Sequence, residues 1–273
     1  MHRAATQRVS PDRLAGADGW RSLQVLGGIA AILAGLVFRR WWSSELALLE
    51  SLGIVPATGA PFPTTPAAWF ALIHAHPFRA LVELNYFDIV NFILVALMYL
   101  GLFSRIRRTR TASTALAMAL TLLGVALYLS SSQASNLFTL GAQFTVSADD
   151  ARKQLLLAAG QSALVTGNPI GFGTGVFWSY MSLYLAGLLP SLGTLRDQSF
   201  SRWTGVLGAV ASSIGLGYFF TCAFGPTLSI LPAVLSAPCN LVWYVATGIA
   251  LLRMPPVAPL RGSANNEEAV NDE

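Results

Sequence analysis

Seven polar side chains lie inside or at the edges of long apolar stretches: Asp88, Asn91, Gln133, Asn136, Tyr180, Tyr184 and Asn240. A polar group in such a stretch is costly unless it has a partner or a role, so these residues are the first place to look for chemistry. Asp88 and Asn91 are three apart and Tyr180 and Tyr184 four apart, so each pair shares a helix face. Ser179 stands beside the second pair, and Gln133 and Asn136 cluster at the end of another stretch. Asn240 comes about twelve residues into the last apolar stretch, roughly 18 Å along a helix rising 1.5 Å per residue, close to a bilayer midplane. One carboxylate with amides and phenols makes a hydrogen-bonding pocket for a ligand, not a nucleophile with its base.

The usual catalytic signatures are missing. The sequence has no G-x-S-x-G elbow, no Walker motif and no facing pair of acids within an apolar stretch. The GFGTG string at 171–175 follows Asn168-Pro169 with no strand pattern before it, which argues against a phosphate loop. His74 and His76 diverge by about 200° on a helix, and neither H-E-x-x-H nor C-x-x-C spacing accompanies them. Cys222 and Cys239 are too few for a disulfide scaffold or a zinc cage, and whether they approach each other is left open. No metal and no cofactor is expected. Pro238 just before Asn240, with Pro232 earlier, predicts a kinked or broken helix, a device that marks binding sites in some transporters.

The elements that position these residues follow from composition. The 273-residue chain is 54% hydrophobic and 11% charged, with a mean hydropathy of +0.56. Soluble domains carry about 25% charged residues, so disorder, a nucleic-acid-binding surface and an ordinary cytosolic enzyme are excluded. The expected fold is all-α, a polytopic membrane bundle. Six spans qualify: Leu23–Trp42 with its apolar part Ser22–Val37, Tyr86–Phe103, Ala112–Ser130, Phe172–Leu195, Trp203–Phe224 and Ser229–Leu252. Each is close to the roughly 20 residues that a bilayer demands.

Charge predicts orientation. With the amino terminus inside, twelve of the 17 basic residues fall on inner segments and five on outer ones. Four arginines in Ser104–Thr111 dominate that count, whereas Arg39 and Arg40, before the interfacial Trp41 and Trp42, oppose it. Both termini are therefore expected in the cytoplasm, in a plasma-membrane protein with an arm at 1–21, a membrane domain at 22–253 and a disordered tail at 254–273. Two amphipathic helices are expected on the outer surface: Pro66–Glu83, broken at Pro77, and Ser147–Val165, capped by Ser147.

Gly205, Ala209, Ser213 and Gly217 recur every four residues, and Gly171, Gly175, Ser179, Gly187 and Ser191 form a second small-residue stripe interrupted by Leu183. Such stripes let helix backbones approach, within one chain or across a homodimer.

The order DDARKQLLLAAGQSAL, GFGTGVFWSY and DQSFSRWTGVLGAVASSIGLGYF, with Asp88 in Tyr86-Phe87-Asp88, resembles a six-helix prokaryotic membrane family catalogued as domain of unknown function 4386. The resemblance covers about residues 13–253 and implies the six-helix fold but no reaction. Where that family often places an acid early in the last helix, this chain has Asn240. The resulting expectation is a non-catalytic multi-pass protein binding a lipid-like or small apolar ligand, or a membrane partner, through an outer-half polar pocket. The alternatives are a small-molecule transporter with its site at Pro238–Asn240, and an intramembrane enzyme.

Overall fold

The computed structural model describes residues 11–38, 62–84, 86, 88–106, 111–167, 171–194 and 201–255. Among these, every regular element is helical: α1 (Pro11–Phe38), α2 (Pro66–Ala75), α3 (Pro77–Glu83), α4 (Asp88–Ile106), α5 (Thr111–Ser131), α6 (Ala134–Val146), α7 (Asp150–Thr166), α8 (Gly175–Thr194), α9 (Arg202–Thr221) and α10 (Pro226–Arg253), with a 3₁₀ turn at Cys222–Phe224. Five stretches are long and apolar enough to cross a membrane: Gly19–Leu36, Asp88–Ile106, Thr111–Val146, Arg202–Thr221 and Leu235–Arg253. The chain is thus a multi-pass membrane protein by length and composition. Helix α8 has 20 residues and no charge, but Ser179, Tyr180, Ser182, Tyr184 and Ser191 dilute its apolar character.

The six long helices touch in a closed cycle, α1 to α4 to α5 to α8 to α9 to α10 and back to α1. Val95, Met98, Leu102, Ala186, Trp243 and Leu251 fill much of its interior. Small residues set the spacing. A Cβ on Gly248 of α10 would lie 2.6 Å from the Gly28 carbonyl oxygen of α1, so only glycine lets these backbones approach. Beside this seam the buried Gln24 amide donates to the Leu251 carbonyl at 2.7 Å and to that of Met254 at 3.3 Å, serving carbonyls that the end of α10 leaves without helical partners.

The short helices pack over one end of the ring, the end at which α4 and α8 begin. Thr65 caps α2, Pro66 opens it, and Pro77 opens α3 after the single junction residue His76. Phe70, Ile73, Ala80, Leu137 and Ala163 make a separate small core there. Arg79 and Glu83 are buried in this cap and joined at 2.6 Å, with side chains 6% and 7% exposed.

Several expectations are corrected. The chain from Ala134 to Val146 is helical, an element the sequence reading missed because the polar run SSSQASN at 130–136 reads as the end of a span. The break at Pro77 and the helix after Ser147 are present, but α2 and α7 pack against α6 and each other rather than each lying alone on a surface. The α7 cap is Asp149, whose carboxylate accepts from the Ala151 amide at 3.0 Å, not Ser147. Helix α1 begins at Pro11, inside the expected arm. Helix α10 runs through Pro232 and Pro238 without interruption.

The stripe on α9 is also rotated. Its buried face is Thr204, Gly205, Gly208, Ala211, Ser212, Gly215 and Tyr218, whereas Ser213 is exposed, Ala209 is half-buried and Gly217 meets only Pro232 at 3.7 Å. The spacing of 204, 208, 211, 215 and 218 follows the seven-residue repeat of inclined helix pairs, not a strict four-residue step. Gly175 does pack tightly, against Ser131 of α5. Cys222 and Cys239 are free thiols. The Arg39–Trp42 anchor, the arginines at 107–110, Asn168-Pro169, Arg196, residues 1–10 and residues 256–273 lie outside the described residues.

Candidate functional site

Six of the seven predicted polar residues divide between two cavities that share one side chain. The first, of about 60 Å³, lies where the cap meets the ring and is lined by Asp88, Tyr128, Ser132, Gln133, Tyr180 and apolar neighbours including Leu84 and Leu137. The second, of about 10 Å³, lies deeper in the ring and is lined by Asn91, Tyr180, Tyr184, Ser212, Asn240, Trp243 and Tyr244, among others. Tyr180 belongs to both.

Asp88 is placed by being the first residue of α4, where its negative charge complements the helix dipole. The Tyr180 hydroxyl donates to its Oδ2 at 3.3 Å, and the Tyr128 hydroxyl is a second phenol hydrogen-bonded to the same carboxylate. Both rings are held by Phe92, one turn along α4. Tyr128 stacks on Phe92 at 3.9 Å between centroids, and Tyr180 meets it edge-on at 5.3 Å. Gln133 is fixed at the start of α6, with its Oε1 accepting from Asn136 at 2.6 Å. Asn136 itself is exposed and lines neither cavity.

The deeper cavity is mostly organised by α10 and α8. Asn240 donates to the Ser236 carbonyl at 2.8 Å, and the Tyr184 and Ser236 hydroxyls bond at 3.2 Å. Asn91 Oδ1 and Ser212 Oγ are buried there without a hydrogen-bond partner among the described residues. Sequence reasoning missed Tyr128, Ser132, Ser212, Trp243 and Tyr244 at these two sites. Tyr128 and Ser132 stand four apart, so a helical-face reading extended beyond Gln133 would have found them.

His74 lines a separate cleft in the cap with Ile73 and Phe138, while His76 occupies the α2–α3 junction. Among the described residues no three His, Cys, Asp or Glu side chains group as metal ligands.

The first cavity offers one carboxylate, two phenols, an amide and a hydroxyl, next to aromatic faces. That donor set suits a compact cation, held by charge and by the ring faces. Its volume admits only a few heavy atoms, since about 150 Å³ is needed for a benzene-sized guest. No protein-family model, curated protein or solved structure matches this chain.

Proposed function

We propose that this chain is a non-catalytic plasma-membrane protein that crosses the bilayer six times and binds a small ammonium-type group in the Asp88 pocket. The observation that carries the reading is the Asp88 carboxylate held by Tyr128 and Tyr180 at the edge of a cavity of about 60 Å³. The ammonium group belongs either to a free small molecule or to a lipid headgroup, because a cavity of this size excludes an acyl chain. The ring position of α8 between α5 and α9 supports a sixth span. The twelve-to-five bias of basic residues supports cytoplasmic termini, with the Asp88 pocket facing outward. The order of motifs shared with domain of unknown function 4386 supports membership of that family.

The test is thermal unfolding of detergent-purified protein titrated with methylammonium, beside native mass spectrometry in nanodiscs containing phosphatidylethanolamine. A rise in Tm with methylammonium that Asp88→Asn abolishes is expected. A retained ethanolamine lipid, lost in the same variant, identifies the headgroup as the source. No shift in the wild type, or an equal shift in Asp88→Asn, overturns the reading.

Transport is the second reading. It is favoured by one observation, that Tyr180 lines both the Asp88 pocket and the cavity containing Asn240.

A further inference from the structure

Two buried polar atoms on opposite sides of the ring line the same small space. Asn91 lies on α4 and Ser212 on α9, and the cycle α1, α4, α5, α8, α9, α10 sets those two helices across from each other. Both residues line the deeper cavity of about 10 Å³, which Asn240, Trp243 and Tyr244 help to close. Their side chains are 5% and 1% exposed, and neither Asn91 Oδ1 nor Ser212 Oγ has a hydrogen-bond partner among the described residues.

Other buried polar groups of the ring are served by backbone. The hydroxyls of Ser104, Thr121 and Ser191 each donate to a carbonyl of their own helix, and that of Ser179 donates to the Gly124 carbonyl of α5. Asn240 donates to Ser236 within α10. Ser212 has no such acceptor. Gly187 of α8 leaves room for its hydroxyl, since a Cβ there would stand 2.6 Å from Ser212 Oγ. A buried polar atom is costly to leave unmet, so an occupant that serves both atoms at once is favoured.

The space fixes the class of that occupant. One water requires about 10–15 Å³ and two to four polar partners, and the cavity supplies the volume and two orphaned atoms. No charged residue lines it, so nothing there would balance an ion, and an organic ligand is too large.

We propose that a single internal water binds in this cavity and joins α4 to α9 across the axis of the ring. The water donates one hydrogen to Asn91 Oδ1 and shares a second hydrogen bond with Ser212 Oγ. It thereby ties together two helices that do not pack along each other. The bridge depends on neither Asp88 nor the ammonium group.

The experiment measures Ser212→Ala twice, in the wild type and in Asn91→Leu, by unfolding detergent-purified protein in mixed micelles. Asn91→Leu keeps the branched shape of the side chain but replaces the acceptor of the water with a methyl group. In the wild type, Ser212→Ala is expected to raise the unfolding constant about fivefold, the worth of one hydrogen bond. In Asn91→Leu the water has gone and the hydroxyl is already orphaned, so the same change is expected to leave the constant unchanged or to lower it. An equal effect in both backgrounds overturns the bridge. A crystal structure of the wild type needs no variant: a density peak about 2.5–3.0 Å from both atoms is expected. An empty cavity, or a peak in reach of only one of them, overturns it as well.

Discussion

Gly27 of α1 and Gly101 of α4 meet backbone to backbone: a Cβ on Gly27 would stand 2.6 Å from the Gly101 Cα, and one on Gly101 would stand 2.9 Å from the Gly27 Cα. Neither neighbour is a side-chain tip that can swing aside, so a methyl group there must separate two helices. Gly27→Ala is expected to destabilise the bundle by about 3 kcal/mol, the upper end for overpacking. Gly217→Ala, with Pro232 at 3.7 Å, is expected to be neutral within about 0.5 kcal/mol, as substitutions away from tight contacts are. Unfolding in mixed micelles under rising denaturing detergent reads both, and equal effects would refute the assignment of the α1–α4 contact.

The Arg79–Glu83 pair presents the opposite situation, charge inside a small core. Glu83→Ala takes away the carboxylate at 2.6 Å and leaves the Arg79 guanidinium, in a side chain only 6% exposed, without it. Losing one member of a buried pair costs about 3–5 kcal/mol, whereas exchanging both for apolar groups is often neutral. Arg79→Met with Glu83→Leu is therefore expected to recover most of the stability lost in the single variant. Limited proteolysis of the cap helices measures it, and a double variant no more resistant than Glu83→Ala would contradict the expectation.

Phe92 is 1% exposed and supports both tyrosines that hold Asp88. Phe92→Leu removes three carbons and the flat surface on which Tyr128 stacks. A severalfold weaker methylammonium affinity is expected, with a Tm drop worth about 1–3 kcal/mol from the large-to-small exchange. Titration calorimetry beside thermal unfolding separates the two effects. Unchanged affinity would show that the tyrosines do not need this support.

The long helices were legible because an apolar run of about 20 residues bounded by charge has few other readings. Legibility failed where a signal was interrupted or phased wrongly. The polar run SSSQASN at 130–136 concealed the start of α6, and four-residue counting placed Ser213 on a face that the structure exposes. Gly28 and Gly35 of α1 are seven apart and both meet α10, whereas Gly27, next to Gly28 in sequence, meets α4, so one small-residue segment serves two helices. The pocket was visible as a list of polar residues but not as two cavities. Asp88 and Tyr180 are 92 residues apart, and no local pattern reports that they meet.

The closed cycle also bears on biosynthesis. The seam between α1 and α10 is the last to form as the chain is made, since the Gln24–Leu251 hydrogen bond joins residues 227 apart. Until α10 enters the bilayer, the Gly28 and Gly35 side of α1 faces lipid or an insertion chaperone. A nascent chain stalled before Pro226 would therefore leave the Gly28 and Gly35 face of α1 uncovered and the ring open.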